Sequence, residues 1–145
     1  MKILVCTDSS AQSLKAAKEA IRIAKGCGAA QVDVIHVFNV DLHFHDIHHT
    51  ISQVEHYEIM QQIRKKEGER ILEETAKVFT DAGIAVKTIL KEGHPAGTII
   101  KHAKKEEYDL IVMGSRGLGG LKKALLGSVS NAVLQEVQTS VLVVK

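Results

Sequence analysis

A β-prone run opens the chain, residues 2–7 (KILVCT), and four more follow: 32–38 (VDVIHVF), 84–90 (IAVKTIL), 110–113 (LIVM) and 141–144 (VLVV). Between them the apolar spacing lengthens to three and four residues, the period of a helix packed on one side. Over residues 10–25 this spacing picks out Leu14, Ala17, Ile21 and Ala24. Ser9 or Ser10 supplies a capping oxygen at the start of that helix, and Gly26-Cys27-Gly28 ends it. A long helix is predicted over 53–82, with Ile59, Ile63, Leu72, Ala76 and Phe79 as its apolar stripe and KKEGER as its solvated face. Gly93-His94-Pro95 turns into a short helix carrying Ile99, Ile100 and Ala103. Residues 121–137 read as largely helical with a break at Gly127, and residues 39–52 as a polar connection.

Strict alternation of strand and helix implies a parallel sheet with helices on both faces. The strands are near-continuous apolar runs, as expected of strands covered on both sides. In such sheets ligands bind beyond the carboxyl ends of the strands, where the strand order reverses. That directs attention to residues 8–10, 37–41, 92–95 and 114–120.

The exit of the fourth run, MGSRGLGGLKKALLGSVSNAVL, carries the strongest signal. Gly114 and Gly117 follow the strand, and Gly127-Ser128 precedes a helical stretch. Glycines let backbone N–H groups approach a phosphate, and a helix N-terminus adds free donors and a favourable dipole. The Ser128 hydroxyl either caps the helix or donates to a phosphate oxygen. The plain alternative is a set of turn glycines with a serine cap.

The spacing Gly114-x2-Gly117-x9-Gly127-Ser128 resembles the signature of nucleotide-binding universal stress proteins. A chance match in a chain of this length is on the order of one in a hundred at ordinary glycine usage. The resemblance extends along nearly the whole chain: ILVCTDSS, DVIHVF, Gly93-x-Pro95, YDLIVMGSRG and the closing SVLVVK all fit the family. It implies a single α/β domain over 1–145, a three-layer α/β/α unit with an open five-stranded parallel sheet, Rossmann-like and of the adenine-nucleotide alpha-hydrolase-like type. It also implies roles for particular residues. Asp8, with Thr7 beside it, lies by the adenine and ribose, and Val37 meets adenine through its backbone. Gly114, Gly117, Gly127 and Ser128 hold the phosphates, with Val129 and Ser130 completing the pattern; Met113 lines the pocket. The expected ligand is ATP, or ADP or AMP, with Mg²⁺ as a candidate companion through Asp8. The family commonly pairs two copies through the last strand, here Val141 to Val144, and that edge would otherwise expose unpaired backbone. Asp8 has an alternative role as an acidic charge near the first helix's N-terminus. Where the family often has proline before the Thr-Asp pair, this chain has Cys6, and Gly119-Gly120 makes the loop unusually glycine-rich.

Composition narrows the partners. With 145 residues, 45% hydrophobic, 25% charged and a net charge of +2, the chain lacks the strong basic excess of a nucleic-acid binder. No run is long and apolar enough for a membrane span, and no signal-peptide pattern opens the chain, so the expectation is a cytoplasmic protein. Cys6 and Cys27 have neither metal nor disulfide spacing. The stretch NVDLHFHDIHHTISQVEHYE holds His43, His45, His48, His49 and His56, a candidate set for Zn, Ni or Cu. Such a stretch is equally an exposed connection whose composition drifts freely. His36 reads as structural and His94 as a turn residue bordering the pocket mouth.

No nucleophile–base pair and no GxxxxGK[ST] loop is present, so designed hydrolysis is not expected, and ATP turnover would be weak at most. Arg116, Lys122 and Lys123 are available to neutralise phosphate. The leading function is an ATP-binding regulatory or stress-response module acting as a homodimer. The alternatives are a nucleotide-independent dimeric interaction protein of the same fold, and a slow ATPase.

Overall fold

The computed structural model describes residues 1–28, 31–40, 51–118 and 126–145. Strands β1 (Lys2–Cys6), β2 (Gln31–Phe38), β3 (Lys87–Glu92), β4 (Leu110–Gly114) and β5 (Ser140–Val144) alternate with helices α1 (Ala11–Cys27), α2 (Ile51–Asp81), α3 (Pro95–Glu106) and α4 (Ser128–Glu136). Every strand pair is parallel and the order is β3-β2-β1-β4-β5. This is the three-layer α/β/α sheet that the alternation predicts. From β1 the chain steps outward to β2 and β3; α3 then returns it to β4, on the other side of β1. The reversal point, where the crevice opens, lies between β1 and β4.

Side-chain alternation divides the core. Ile3, Val5, Val32, Val34 and Val112 face α1 and α2, where Ala16, Ala17, Ala20, Leu72 and Phe79 meet them. Leu4, Cys6, Ile35, Ile89, Ile111 and Met113 face the other way, onto Ile99, Ala103 and Val133 of α3 and α4.

Three expectations change. The buried face of α1 is Ser13, Ala16, Ala17, Ala20 and Ala24, while Leu14 is 43% exposed; small side chains let this helix lie close to the sheet. The buried residues of α2 fall in its second half, from Gly68 to Phe79, whereas Ile59 and Ile63 of the predicted stripe are 56% and 53% exposed. Gly68, inside the supposedly solvated KKEGER run, is buried against β2 and β3. The third strand begins at Lys87, not residue 84, because Ile84 N–H still bonds the Phe79 carbonyl and closes the end of α2. Ile84 and Val86 pack on the core without joining the ladder.

Ser10 caps α1, its Oγ accepting from Ser13 N–H at 3.1 Å, and Gly28 ends the helix in the left-handed region at φ 61°. Pro95 occupies the first turn of α3, where its missing N–H costs nothing. Among the described residues no helix is long and apolar enough to cross a membrane.

Candidate functional site

At the carboxyl ends of β1, β2 and β4 a cavity of about 350 Å³ opens against the start of α4. Thr7, Asp8, Val37, Met113, Gly114, Arg116, Gly117, Gly127, Ser128, Val129 and Ser130 all line it. The apolar part of its wall adds Cys6, Ile35, Pro95 and Ile99. Ile35 and Ile99 carried only the signal of ordinary core positions, whereas Pro95 lies in the 92–95 stretch and Cys6 at the end of the first strand, both already singled out. Leu118 and Leu126 flank the mouth from the loop.

Asp8 is oriented by its own backbone turn. Its Oδ1 accepts from Ser10 N–H at 3.0 Å, across a Ser9 held at φ 67°. A β-carbon on Gly117 would collide with the other carboxylate oxygen, so Gly117 is what admits Asp8 to this position. Thr7 is held from behind. His36 Nδ1 lies 2.8 Å from the Thr7 carbonyl, which can only accept, so the imidazole carries its proton on Nδ1. The Thr75 hydroxyl donates to the Ile71 carbonyl at 2.8 Å, which leaves Thr7 Oγ1 to donate to Thr75 Oγ1 at 3.1 Å. Thr7 therefore offers the cavity no free hydroxyl hydrogen. His36 is a structural residue, as the sequence suggested, and its specific work is to fix the Thr7 turn.

Val37 stands where β2 outruns β1. The ladder to β1 ends at Cys6↔Ile35, followed by Thr7 N–H to the Ile35 carbonyl at 3.0 Å. Backbone direction alternates along a strand, so Val37 turns its N–H and C=O to the same side as Ile35, toward β1. No β1 residue is in register with it. A donor–acceptor pair is thus left at the cavity wall.

The opposite wall is the start of α4. Gly127 is the cap residue, without a side chain to satisfy the first turn, and Ser128 is the first helical residue. The serine-cap reading of Ser128 is thereby corrected; its side chain is exposed and has no described partner. The first intrahelical bond runs from Asn131 N–H to the Gly127 carbonyl at 3.0 Å, so the N–H groups of Ser128, Val129 and Ser130 find no partner within the helix. The Ser130 hydroxyl is engaged, donating between the carbonyls of Gly127 at 3.0 Å and Ser115 at 3.1 Å.

The three glycines have different reasons to be glycine. At Gly114 a β-carbon would lie 2.9 Å from backbone atoms of Gln12 and Ser13, so this position lets α1 press onto β4. Gly117 makes room for Asp8. Gly127 has ordinary backbone angles, φ −74° and ψ 163°, and among the described residues a β-carbon there would meet nothing closer than 3.4 Å. Burial pushes the Cys6 thiol up to about 12, with the Asp8 charge adding to the shift, so the thiol at the cavity floor stays protonated.

His94 is not itself a lining residue, although Pro95 beside it is; it caps α3 without a side-chain bond and lines the groove between β3 and α3. His43, His45, His48 and His49, like Gly119, Gly120, Lys122 and Lys123, lie outside the described residues. Among the described residues no group of three or more His, Cys, Asp or Glu is placed to hold a metal ion.

A switch-point cavity walled by an uncapped helix start belongs to a doubly wound α/β protein with its crevice at the strand-order reversal. The model of the universal stress protein family matches residues 1–145, and the chain belongs to that family. It is 38% identical over 144 residues to Universal stress protein MJ0531 of Methanocaldococcus jannaschii, covering 99% of this chain and 81% of that one. It is 37% identical to YxiE of Bacillus subtilis, covering 99% and 98%. The solved structure of MJ0577 from M. jannaschii superposes with a TM-score of 0.84 at 34% identity, over 99% of this chain and 94% of the other. More distant universal stress proteins, at 24% and 20% identity with TM-scores of 0.71, share the fold; one was solved in complex with cAMP, and the other, from Arabidopsis thaliana, with AMP bound.

Proposed function

We propose that this chain binds an adenine nucleotide, ATP foremost, in the switch-point cavity, and that occupancy is the state a partner reads. The observation that carries this reading is the joining, in one cavity of about 350 Å³, of the unpaired Val37 backbone pair and the uncapped start of α4. The volume suits a small ligand. Adenine's edge offers an N6 donor beside ring-nitrogen acceptors, the complement of a strand's C=O and N–H. Ile35, Val37 and Met113 supply an apolar seat for the ring. Phosphates lie on the N–H groups of residues 128–130, where partial positive charge collects, and the Ser128 hydroxyl donates alongside. Arg116 adds a full charge. Asp8, held by Ser10, accepts from ribose hydroxyls, or binds Mg²⁺ through water as that ion bridges the phosphates. Related folds crystallised with cAMP and AMP support the same class of ligand. The activity proposed is binding, with weak ATP turnover at most.

The proposed assembly is a homodimer through β5. Among the described residues that strand is at the sheet edge and pairs only with β4, and Val141 to Val144 are half-buried apolar residues. Antiparallel pairing with a second copy covers the edge. Light scattering at micromolar concentration is expected to give the dimer mass; a monomer overturns this assembly.

The test of the site is calorimetric titration of Mg·ATP into the wild type and into a Gly127→Ala, Ser128→Ala variant. Micromolar binding, weakened at least about tenfold in the variant, is expected. No binding by folded wild type overturns the reading. Equal binding by the variant moves the phosphates off α4.

A further inference from the structure

A second depression, of about 760 Å³, runs between the outer strand β3 and α3 and shares no lining residue with the nucleotide cavity. Its two banks are lysines. Lys87 and Lys91 flank Ile89, which is buried on the α3 side of the sheet, and the two-residue period puts both lysines on that side. Lys101 and Lys105 stand one turn apart on α3.

Among the described residues none of these four lysines has an ion-pair partner, although three carboxylates share the groove. Those three acidic residues each have a partner of their own, though the hydrogen bonds from neutral donors leave Asp33 and Glu92 charged. Asp33 is buried and accepts from Tyr108 Oη at 2.5 Å and from Gln31 Nε2. Glu92 accepts from Tyr57 and Gln61, both at 2.7 Å. Glu106 lies 3.8 Å from Lys2 Nζ. Four lysines against three carboxylates, one of which also meets Lys2, leave the groove a modest positive excess that an anionic segment would offset.

The floor of the groove adds direction. Gly93 N–H bonds the Phe38 carbonyl at 2.9 Å, which fixes the alternation along β3. The backbone groups of residues 87, 89, 91 and 93 point at β2, and those of Thr88, Leu90 and Glu92 point outward. Among the described residues β2 is the only strand beside β3.

We propose that this groove docks an extended acidic segment of a partner protein. The segment adds to the outer edge of β3 as a further strand and lays alternate carboxylates between the lysine banks. A peptide fits better than a polyphosphate or a lipid surface, because only a peptide uses the outward N–H and C=O groups. Lysine on an edge strand also serves to discourage edge-to-edge pairing. That role covers Lys87 and Lys91, and Lys105 in the last turn of α3 suits the helix dipole, but neither explains Lys101.

The test is fluorescence anisotropy with a dye-labelled peptide of alternating Glu and Thr, at pH 7.5 and low salt. Saturable binding is expected, weakening as salt rises and falling about tenfold or more in Lys101→Glu, Lys105→Glu. Both lysines are exposed, so the variant should keep the wild-type melting curve. A peptide N-methylated at alternate residues should lose binding, because it cannot form the ladder. The proposal is overturned by absent binding, by equal affinity in the charge-reversed variant, by equal affinity of the N-methylated peptide, or by polyphosphate or anionic vesicles competing as well as the peptide.

Discussion

Gly68 sits within a run of charged residues, and a reader of the sequence would replace it with alanine to strengthen the helix. On an exposed helical surface that change gains up to about 1 kcal/mol, chiefly by restricting the unfolded backbone. The structure reverses the sign. A β-carbon at Gly68 would lie 2.7 Å from Leu90 Cδ1 and 2.9 Å from His36 Cδ2. Leu90 meets it with the end of a flexible side chain and can swing aside. The His36 ring cannot move without stretching its 2.8 Å bond to the Thr7 carbonyl, a bond worth about 1 kcal/mol net. Overpacking of a core costs roughly 1–3 kcal/mol. Setting that against the helical gain leaves a net loss of up to about 2 kcal/mol. For a domain of this size the melting temperature should fall by about 3 °C per kcal/mol.

The assay is thermal or urea unfolding of Gly68→Ala beside Gly97→Ala. Gly97 lies in α3, and a β-carbon there would meet nothing within 4 Å, so it should show the helical gain alone. Opposite signs for the two alanines are expected. A Gly68→Ala protein that melts higher than wild type would refute the packing of α2 on His36. Because His36 fixes the turn that lines the cavity, Gly68→Ala should also weaken nucleotide binding although it touches no ligand.

The other expected outcomes are these. Gly114→Ala should lose stability in the absence of nucleotide, because its methyl meets α1 backbone, while Gly127→Ala should unfold within about 0.5 kcal/mol of wild type and fail in ligand titration; urea curves and calorimetry separate the two. Gly117→Ala should destabilise by about 1 kcal/mol by displacing the Asp8 carboxylate, and that loss should shrink in an Asp8→Ala background; additive effects in the double-mutant cycle would sink the contact. At pH 8 one thiol per chain, Cys27, should react quickly with a disulfide reagent, and Cys6, buried with its pKa near 12, only on unfolding; two fast thiols would contradict the burial. Burial lowers the His102 pKa below its ordinary value, ahead of opposing effects from Glu106 and Asp33, so the unfolded chain takes up a proton first. The contribution of His102 to stability should therefore be lost as pH falls through about 6.5, and NMR titration should place its midpoint below that of a free histidine.

What the sequence made legible was whatever is written locally. Strands buried on both faces appear as unbroken apolar runs, and helices between them as a longer period, so the layer order needed no knowledge of contacts. The boundary of β3 was missed by three residues because Ile84 and Val86 are apolar for packing and not for pairing. The stripe on α2 failed for a related reason. Ile59 and Ile63 keep helical spacing, yet the sheet packs only on the later turns, and spacing says nothing about where the neighbouring layer ends. Gly68 and the lysine banks were equally hidden, because their meaning comes from residues distant in the chain.

The glycine loop shows the limit in a different form. Its spacing is one pattern, but Gly114 answers to α1 and Gly117 to Asp8, both demands of the protein itself. A chain that had given up nucleotide but kept this packing would still need those two. Gly127 differs: its backbone is ordinary and, among the described residues, no protein atom crowds its missing side chain. Of the three, its retention speaks least for the fold and most for something that lies against the start of α4. Gly127, the exposed Ser128 hydroxyl and the Val37 backbone left without a partner in β1 therefore speak most for a nucleotide, and the length of the motif adds less than it first suggests.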